Sequence, residues 1–214
     1  MIAAPVEQSP AALVKPGMCK ILLIRGLLLA LLLCLPVRGL AASNARDLVA
    51  AARAQIGVTK TYDPAYVALK YPAGDVPTET GVCSDVVVRA FRKLGLDLQK
   101  LVHEDMRRAF AAYPKDWGLS STDKNIDHRR VPNLQTFFKR RGAALPVTQK
   151  AEDYLPGDLV TCTVAGRLPH IAIVVPAADG SATPWIVHNI GQGPKHESRL
   201  FEFPITGHYR YHPQ

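Results

Sequence analysis

The chain has 214 residues, 48% of them hydrophobic and 21% charged, with a net charge of +8 at neutral pH. Four cysteines are too few for a disulfide-stapled scaffold, and the composition is that of a globular rather than a disordered chain. The positive charge is spread along the sequence and not gathered into an aromatic-interleaved run, which argues against a nucleic-acid partner.

The first forty residues read as a targeting segment. Lys15, Lys20 and Arg25 precede an unbroken apolar run over 27–35, too short to span a bilayer and the right length for the core of a signal peptide. Pro36 ends the run, and Gly39-Leu40-Ala41 supplies the small residues of a cleavage site near Ala41. Met18 is an alternative start that leaves a leader of ordinary length. Residues 1–41 are therefore assigned to the leader and 42–214 to a single domain. Removing the leader takes away four of the 26 basic residues and one of the 18 acidic ones, leaving a net charge of +5. That balance suits an anionic polymer or surface. The expected location is the periplasm or the exterior of a bacterium, with membrane contact limited to the leader.

Ser43 or Asn44 is placed to cap a first helix running through Leu48, Ala52 and Ile56 to Gly57. A loop over 58–82 follows, rich in Tyr, Pro and Gly, and long enough to suggest a functional role. Cys83 then opens a helix whose apolar residues fall at 86, 87, 90, 91 and 94, with Gly95 as its stop. A thiol in that first turn meets unpaired backbone N–H groups and the positive end of the helix dipole, and both favour the thiolate. A further helix is predicted at about 99–112, an irregular polar stretch over 113–131, and a short helix from Pro132 to Gly142 carrying Leu134, Phe137 and Phe138. From 155 onward the pattern changes to strands at 159–164, 170–175, 185–188 and 208–211, separated by Pro and Gly turns. Helices followed by strands predict an α+β fold, with N-terminal helices packed on an antiparallel β-sheet. Cys162, within a strand, reads as a small buried hydrophobe, with a bridge to Cys83 as the alternative.

A cysteine on a helix start and a histidine opening a distant strand suggest a thiol hydrolase from the residues alone. The full order is Cys83, then Leu155-Pro156-Gly157-Asp158-Leu159-Val160, then Pro169-His170-Ile171-Ala172-Ile173-Val174, then Ile186-Val187-His188. This order resembles the NlpC-type cell-wall cysteine peptidases, whose fold is a circularly rearranged relative of papain. The phrases Tyr62-Asp63-Pro64, Gly81-Val82-Cys83, Asn125-Ile126-Asp127-His128-Arg129-Arg130-Val131-Pro132-Asn133-Leu134 and Val187-His188-Asn189-Ile190-Gly191 are similar to the bacterial domain-of-unknown-function family 1287.

The resemblance implies a papain-like domain in which Cys83 is the nucleophile and His170 the general base. It implies His188 as the residue orienting His170. Asn189 is the alternative, because neighbouring strand residues face opposite ways and only one of the pair can point at His170. The oxyanion donors would be the Cys83 backbone N–H and a tyrosine hydroxyl from the preceding loop. Tyr62, Tyr66 and Tyr71 qualify, and Tyr62, followed by Asp63, is favoured. One departure concerns the nucleophile motif, which usually reads Asp-Cys-Ser-Gly and here reads Val82-Cys83-Ser84-Asp85. The Asp85 carboxylate then either enters the cleft or caps the helix. The cluster Asp127, His128, Arg129 and Arg130 is either a solvated loop or a cleft wall that grips a substrate carboxylate.

No Cys-x-x-Cys, His-Glu-x-x-His or His-x-His spacing occurs, so no metal and no other cofactor is expected. The expected activity is hydrolysis of amide bonds in anionic cell-wall stem peptides, through a thioester, by a monomer. An acyl- or amide-transferase, a lipid amidase on the same core, or an inactive cell-wall binding module are the alternatives.

Overall fold

The computed structural model of the protein describes residues 35–211. The chain divides into two compact units, Met1–Leu40 and Ala41–Gln214, and the elements that carry the site belong to the second. The apolar run expected to form a leader core lies outside the described residues, apart from Leu35. Among the described residues no helix is long and apolar enough to cross a membrane.

The first helix, α1 (Leu35–Arg53), starts earlier than the Ser43 or Asn44 cap that its sequence suggests. Pro36 falls in its first turn, the place in a helix where a missing N–H leaves nothing unpaired. Helix α2 (Cys83–Lys93) begins at the predicted residue. Helix α3 (Leu98–Arg108) is capped by Asp97, whose carboxylate accepts the Gln99 N–H. It stops before 112, and a 3-10 turn over Phe110–Ala112 takes its place. Helix α4 (Val131–Arg140) carries Pro132 in its first turn.

Two strands of two residues, β1 (Thr61–Tyr62) and β2 (Thr80–Gly81), pair in parallel across the long loop. The remaining strands are β3 (Ala144–Leu145), β4 (Leu159–Val164), β5 (Leu168–Val175), β6 (Trp185–His188), β7 (Lys195–Glu197) and β8 (Ile205–Tyr209). They form one antiparallel sheet in the order β3-β8-β4-β5-β6-β7. The last strand starts three residues before its predicted onset at His208. Strands β3 and β7 are too short to show a period in the sequence.

The helices pack on one face of this sheet. Ile171, Ile173 and Val175 of β5 meet Phe91, Leu134, Phe137 and their neighbours there. The alternate residues Ala172 and Val174, with Val160 and Ile186, are covered on the other face by Tyr154, Leu200 and Phe201. A strand buried on both sides has no reason to alternate, so β5 reads as an unbroken apolar run. The Pro156-Gly157-Asp158 turn is clamped from beneath. Asp158 is 1% exposed and accepts from His208 Nε2 at 2.8 Å and from Arg210 Nε at 2.7 Å. Those two charge-assisted bonds fix β4 to the far end of β8.

Candidate active site

Cys83 sits at the first residue of α2 and is 4% exposed. The helix starts there because Asp85, three residues after Val82, accepts the Val82 N–H at 2.7 Å. Asp85 thus caps the helix and does not enter the cleft. Gly81 allows this with φ of 156°, since a Cβ at that position would stand 3.2 Å from the Asp85 carboxylate and 3.3 Å from Arg89 Nη1. Ser84 is fully buried, and its hydroxyl donates to the Arg129 carbonyl at 2.8 Å.

The 127–130 cluster is not a solvated loop. Asp127, His128 and Arg129 are 0%, 2% and 8% exposed. Asp127 is hydrogen-bonded to His103 Nδ1 at 2.9 Å and accepts the Asp123 N–H at 2.9 Å. Arg129 donates to Asp85 at 3.0 Å and to the carbonyls of Asp63 and Ala65 at 3.1 and 3.0 Å. Its donors are therefore committed within the protein, which corrects the solvated-loop reading, while Arg129 and Arg130 both line the groove beside Cys83. Burial first, and then the Arg129 charge, push the His128 ring down to about 3. Arg130 differs: its guanidinium lies 4.4 Å from the Trp117 ring centroid, and its Nη1 is buried with no hydrogen-bond partner among the described residues.

The thiolate expected at a helix start does not survive burial. Desolvation pushes the Cys83 thiol up to about 11, the Ile171 N–H opposes it, the Asp85 charge adds to the rise, and the Ser84 and Cys83 N–H groups oppose it again. Loss of water outweighs the dipole and the donors together. Tyr62 lines the groove beside the Cys83 sulfur, and burial followed by that sulfur's charge pushes its hydroxyl up to about 12. The other two candidate tyrosines anchor the loop. Tyr66 donates to Asp123 at 2.9 Å and accepts from Asn125 at 2.7 Å, and Tyr71 meets the His103 ring edge-on. Asp63 turns its carboxylate onto the Ala65 N–H at 2.9 Å.

His170, 4% exposed on β5, places Nε2 2.9 Å from His188 Nδ1 on β6. His188 Nε2 lies 2.9 Å from Glu197 Oε2 on β7, and Arg199 Nε stands 3.6 Å from the same oxygen. Burial and the nearby His188 push His170 down to about 3. Burial also lowers His188, with Glu197 opposing. Asn189 is directed elsewhere: its amide nitrogen donates to the Gly81 carbonyl at 3.0 Å and its oxygen accepts the Gly191 N–H at 3.1 Å. It ties the end of β6 to the approach to Cys83.

No hydrogen bond joins the Cys83 sulfur to the His170 ring, and Nδ1 of that ring has no hydrogen-bond partner among the described residues. The sulfur instead faces the backbone N–H of Ile171, one residue along β5 from the ring. Cys162 pairs across from His170 in the β4–β5 ladder. Both cysteines are free thiols, so the bridge is absent. Beside Cys83 runs a groove of about 270 Å³ lined by Tyr62, Trp117, Arg130, Pro132 and Pro169 among others.

Two residues at the site are absent from the sequence reading. Glu197 lies in the polar triplet Lys195-His196-Glu197, which carries no periodic signal. It reaches His188 only because His188 pairs with Lys195, which makes Glu197 a diagonal cross-strand neighbour. Trp117 is 56% exposed and has φ of 66°. A large aromatic in a polar, irregular stretch was the available signal for it.

The family model described as "Domain of unknown function (DUF1287)" matches residues 49–211. A curated protein of Escherichia coli (strain K12), "Uncharacterized protein YijF", is 53% identical over 160 residues, covering 75% of this chain and 78% of its own length. The structure of NlpC1 from Trichomonas vaginalis aligns with a TM-score of 0.39 at 15% identity, over 78% of this chain and 45% of that one.

Proposed function

This chain belongs to the DUF1287 family, and from that starting point we propose that it is a thiol hydrolase of amide bonds, acting in the cell envelope on peptidoglycan stem peptides. One observation carries the reading. Cys83 and Tyr62 line one groove, and the sulfur faces Ile171, one residue along the strand from a buried imidazole whose Nε2 is committed to a second histidine. The NlpC-type resemblance of the residue order supports the same assignment, and with it a papain-like fold.

At rest the pair is thiol and neutral imidazole, since burial works against charge on both. His170 takes the thiol proton on Nδ1 as the sulfur attacks the amide carbon. A C–S bond forms, and the carbonyl π pair moves to oxygen. The Cys83 N–H and the Tyr62 hydroxyl are the donors for that oxyanion. Its collapse breaks the C–N bond, and the leaving amine takes the proton back from Nδ1. Water then attacks the thioester, giving its proton to His170, and the departing sulfur regains it. His188 keeps the ring in place throughout. Arg130, whose guanidinium lies over the Trp117 ring and whose Nη1 has no hydrogen-bond partner among the described residues, supplies a cation for a substrate carboxylate. The residues 1–41 would direct the chain across the membrane before this chemistry begins.

The test is digestion of purified sacculi and muropeptides, read by mass spectrometry. New fragments that vanish with Cys83→Ala are expected. Arg130→Met should raise KM about ten- to a hundredfold, the scale of a charged hydrogen bond at ~1.5–3 kcal/mol. An unchanged fragment pattern with Cys83→Ala, or intact sacculi with wild type, would overturn the proposal. Products joined to an added amine would make the enzyme a transferase.

A further inference from the structure

We propose that Glu197 is a positioning residue which sets the tautomers of both histidines and thereby leaves the His170 lone pair on Nδ1. This rests on the hydrolase reading for its functional consequence, but not for its chemistry. The geometry is a chain of two 2.9 Å hydrogen bonds, from Glu197 Oε2 to His188 Nε2 and from His188 Nδ1 to His170 Nε2. A carboxylate oxygen accepts and does not donate, so His188 Nε2 must carry hydrogen. A neutral imidazole has only one such hydrogen. His188 Nδ1 is then an acceptor, and His170 Nε2 must donate to it. The neutral His170 has now used its single hydrogen as well, so Nδ1 is bare. The direction of both bonds is dictated by one carboxylate two residues removed from the thiol chemistry.

Without that carboxylate the chain is free to reverse. His188 with hydrogen on Nδ1 would donate to His170 Nε2, and the hydrogen of His170 would move to Nδ1. The ring would then have no lone pair to offer. Nothing else in the chain breaks this symmetry, because each imidazole presents a donor and an acceptor that are interchangeable. Water entering in place of the carboxylate could act as either. A concavity of about 170 Å³ adjoins the pair, lined by Gly191, Gly193, Lys195 and Arg199 among others, so water has access.

The placement suits the task. Glu197 lies on β7, the last strand of the sheet, with its side chain 28% exposed, while that of His188 is 1% exposed. The carboxylate reaches inward from a solvated edge, and Arg199 restrains it from outside while also pairing with Glu202 at 3.3 Å. Glu197 touches neither the sulfur nor the groove, so its effect passes entirely through His188.

The experiment is nitrogen NMR on histidine-labelled protein near pH 7.5, in which protonated and bare ring nitrogens resonate apart. Wild type should show hydrogen on Nε2 of both His170 and His188. Glu197→Gln can still present a carbonyl oxygen and should keep that pattern. Glu197→Lys can only donate and should move both hydrogens to Nδ1. Turnover on muropeptides should fall about ten- to a hundredfold in kcat with Glu197→Ala, the usual cost of losing an outer hydrogen-bond partner of a functional histidine. KM should stay unchanged, and Glu197→Gln should recover most of the rate. Tautomers that are unmoved by Glu197→Lys would overturn the assignment, as would a full kcat with Glu197→Ala. If wild type has no turnover, the hydrolase reading fails, while the nitrogen spectra still decide what Glu197 does.

Discussion

Replacing Arg129 with methionine removes the cation that joins three segments around Cys83. The Arg129–Asp85 pair has side-chain exposures of 4% and 3%, so neither charge is relieved by solvent. Stranding one partner of such a buried pair costs about 3–5 kcal/mol. Arg129→Met also strips the Asp63 and Ala65 carbonyls of their donor, each worth about 1 kcal/mol net. Its cost therefore belongs at about 5–7 kcal/mol, a third or more of the ~5–15 kcal/mol typical of a whole domain. Asp85→Asn keeps an acceptor for the Val82 N–H and loses only the charge, which puts it near ~3 kcal/mol. The double variant has no stranded charge, so it should be more stable than the sum of the singles predicts by about 2 kcal/mol or more. Urea unfolding of the four proteins closes the cycle, with unchanged m-values confirming that the comparison is one of stability. Single losses under about 1 kcal/mol, or a double variant within ~0.5 kcal/mol of additivity, would refute a buried, coupled pair.

Acid should destabilise the domain well above the carboxylate range. Burial holds the His128 ring down to about 3 when folded, against the ordinary 6.5 of a free imidazole. The unfolded chain binds the extra proton as pH falls below about 6.5, so folding stability declines from there toward about 3, with a slope approaching ~1.4 kcal/mol per pH unit. His170 is shifted the same way and adds a second, similar slope. Urea midpoints across that window should therefore rise with pH, and His128→Gln should remove its share of that slope. A flat profile would contradict the burial of both rings as neutral species. Alkylation of Cys83 by a small haloacetamide should accelerate toward an inflection near 11, beyond the ~8.5 of a free thiol. An inflection at or below that ordinary value would show that the helix start prevails over desolvation.

What was legible in the sequence was what local pattern controls. Helix α2 announces itself through the spacing of Val86, Val87, Ala90 and Phe91, and the structure begins it at Cys83. The change from helices to strands after 155 gives the α+β class and the antiparallel sheet. The 127–130 cluster was not legible, because its character depends on Asp85, 44 residues earlier in the chain. Four ionisable residues in a row look solvated until that distant partner is in view. The ionisation of Cys83 was half legible. The dipole and the free N–H groups follow from position in the helix, but the burial that outweighs them is a tertiary property. Glu197 was out of reach for a different reason: a three-residue strand shows no period, and only the β6–β7 register brings its carboxylate to His188.

The bonds of Arg129 to Asp63, Ala65 and Asp85 tie the Cys83 helix to the loop beside Tyr62. Sulfur and phenol are therefore brought together when the polypeptide folds, before any ligand arrives. For the proposed hydrolysis this means that a substrate would not have to spend affinity on ordering these two groups. By the same token, the proposed reactivity and the integrity of the fold would be lost together, since one guanidinium holds both the helix start and the loop.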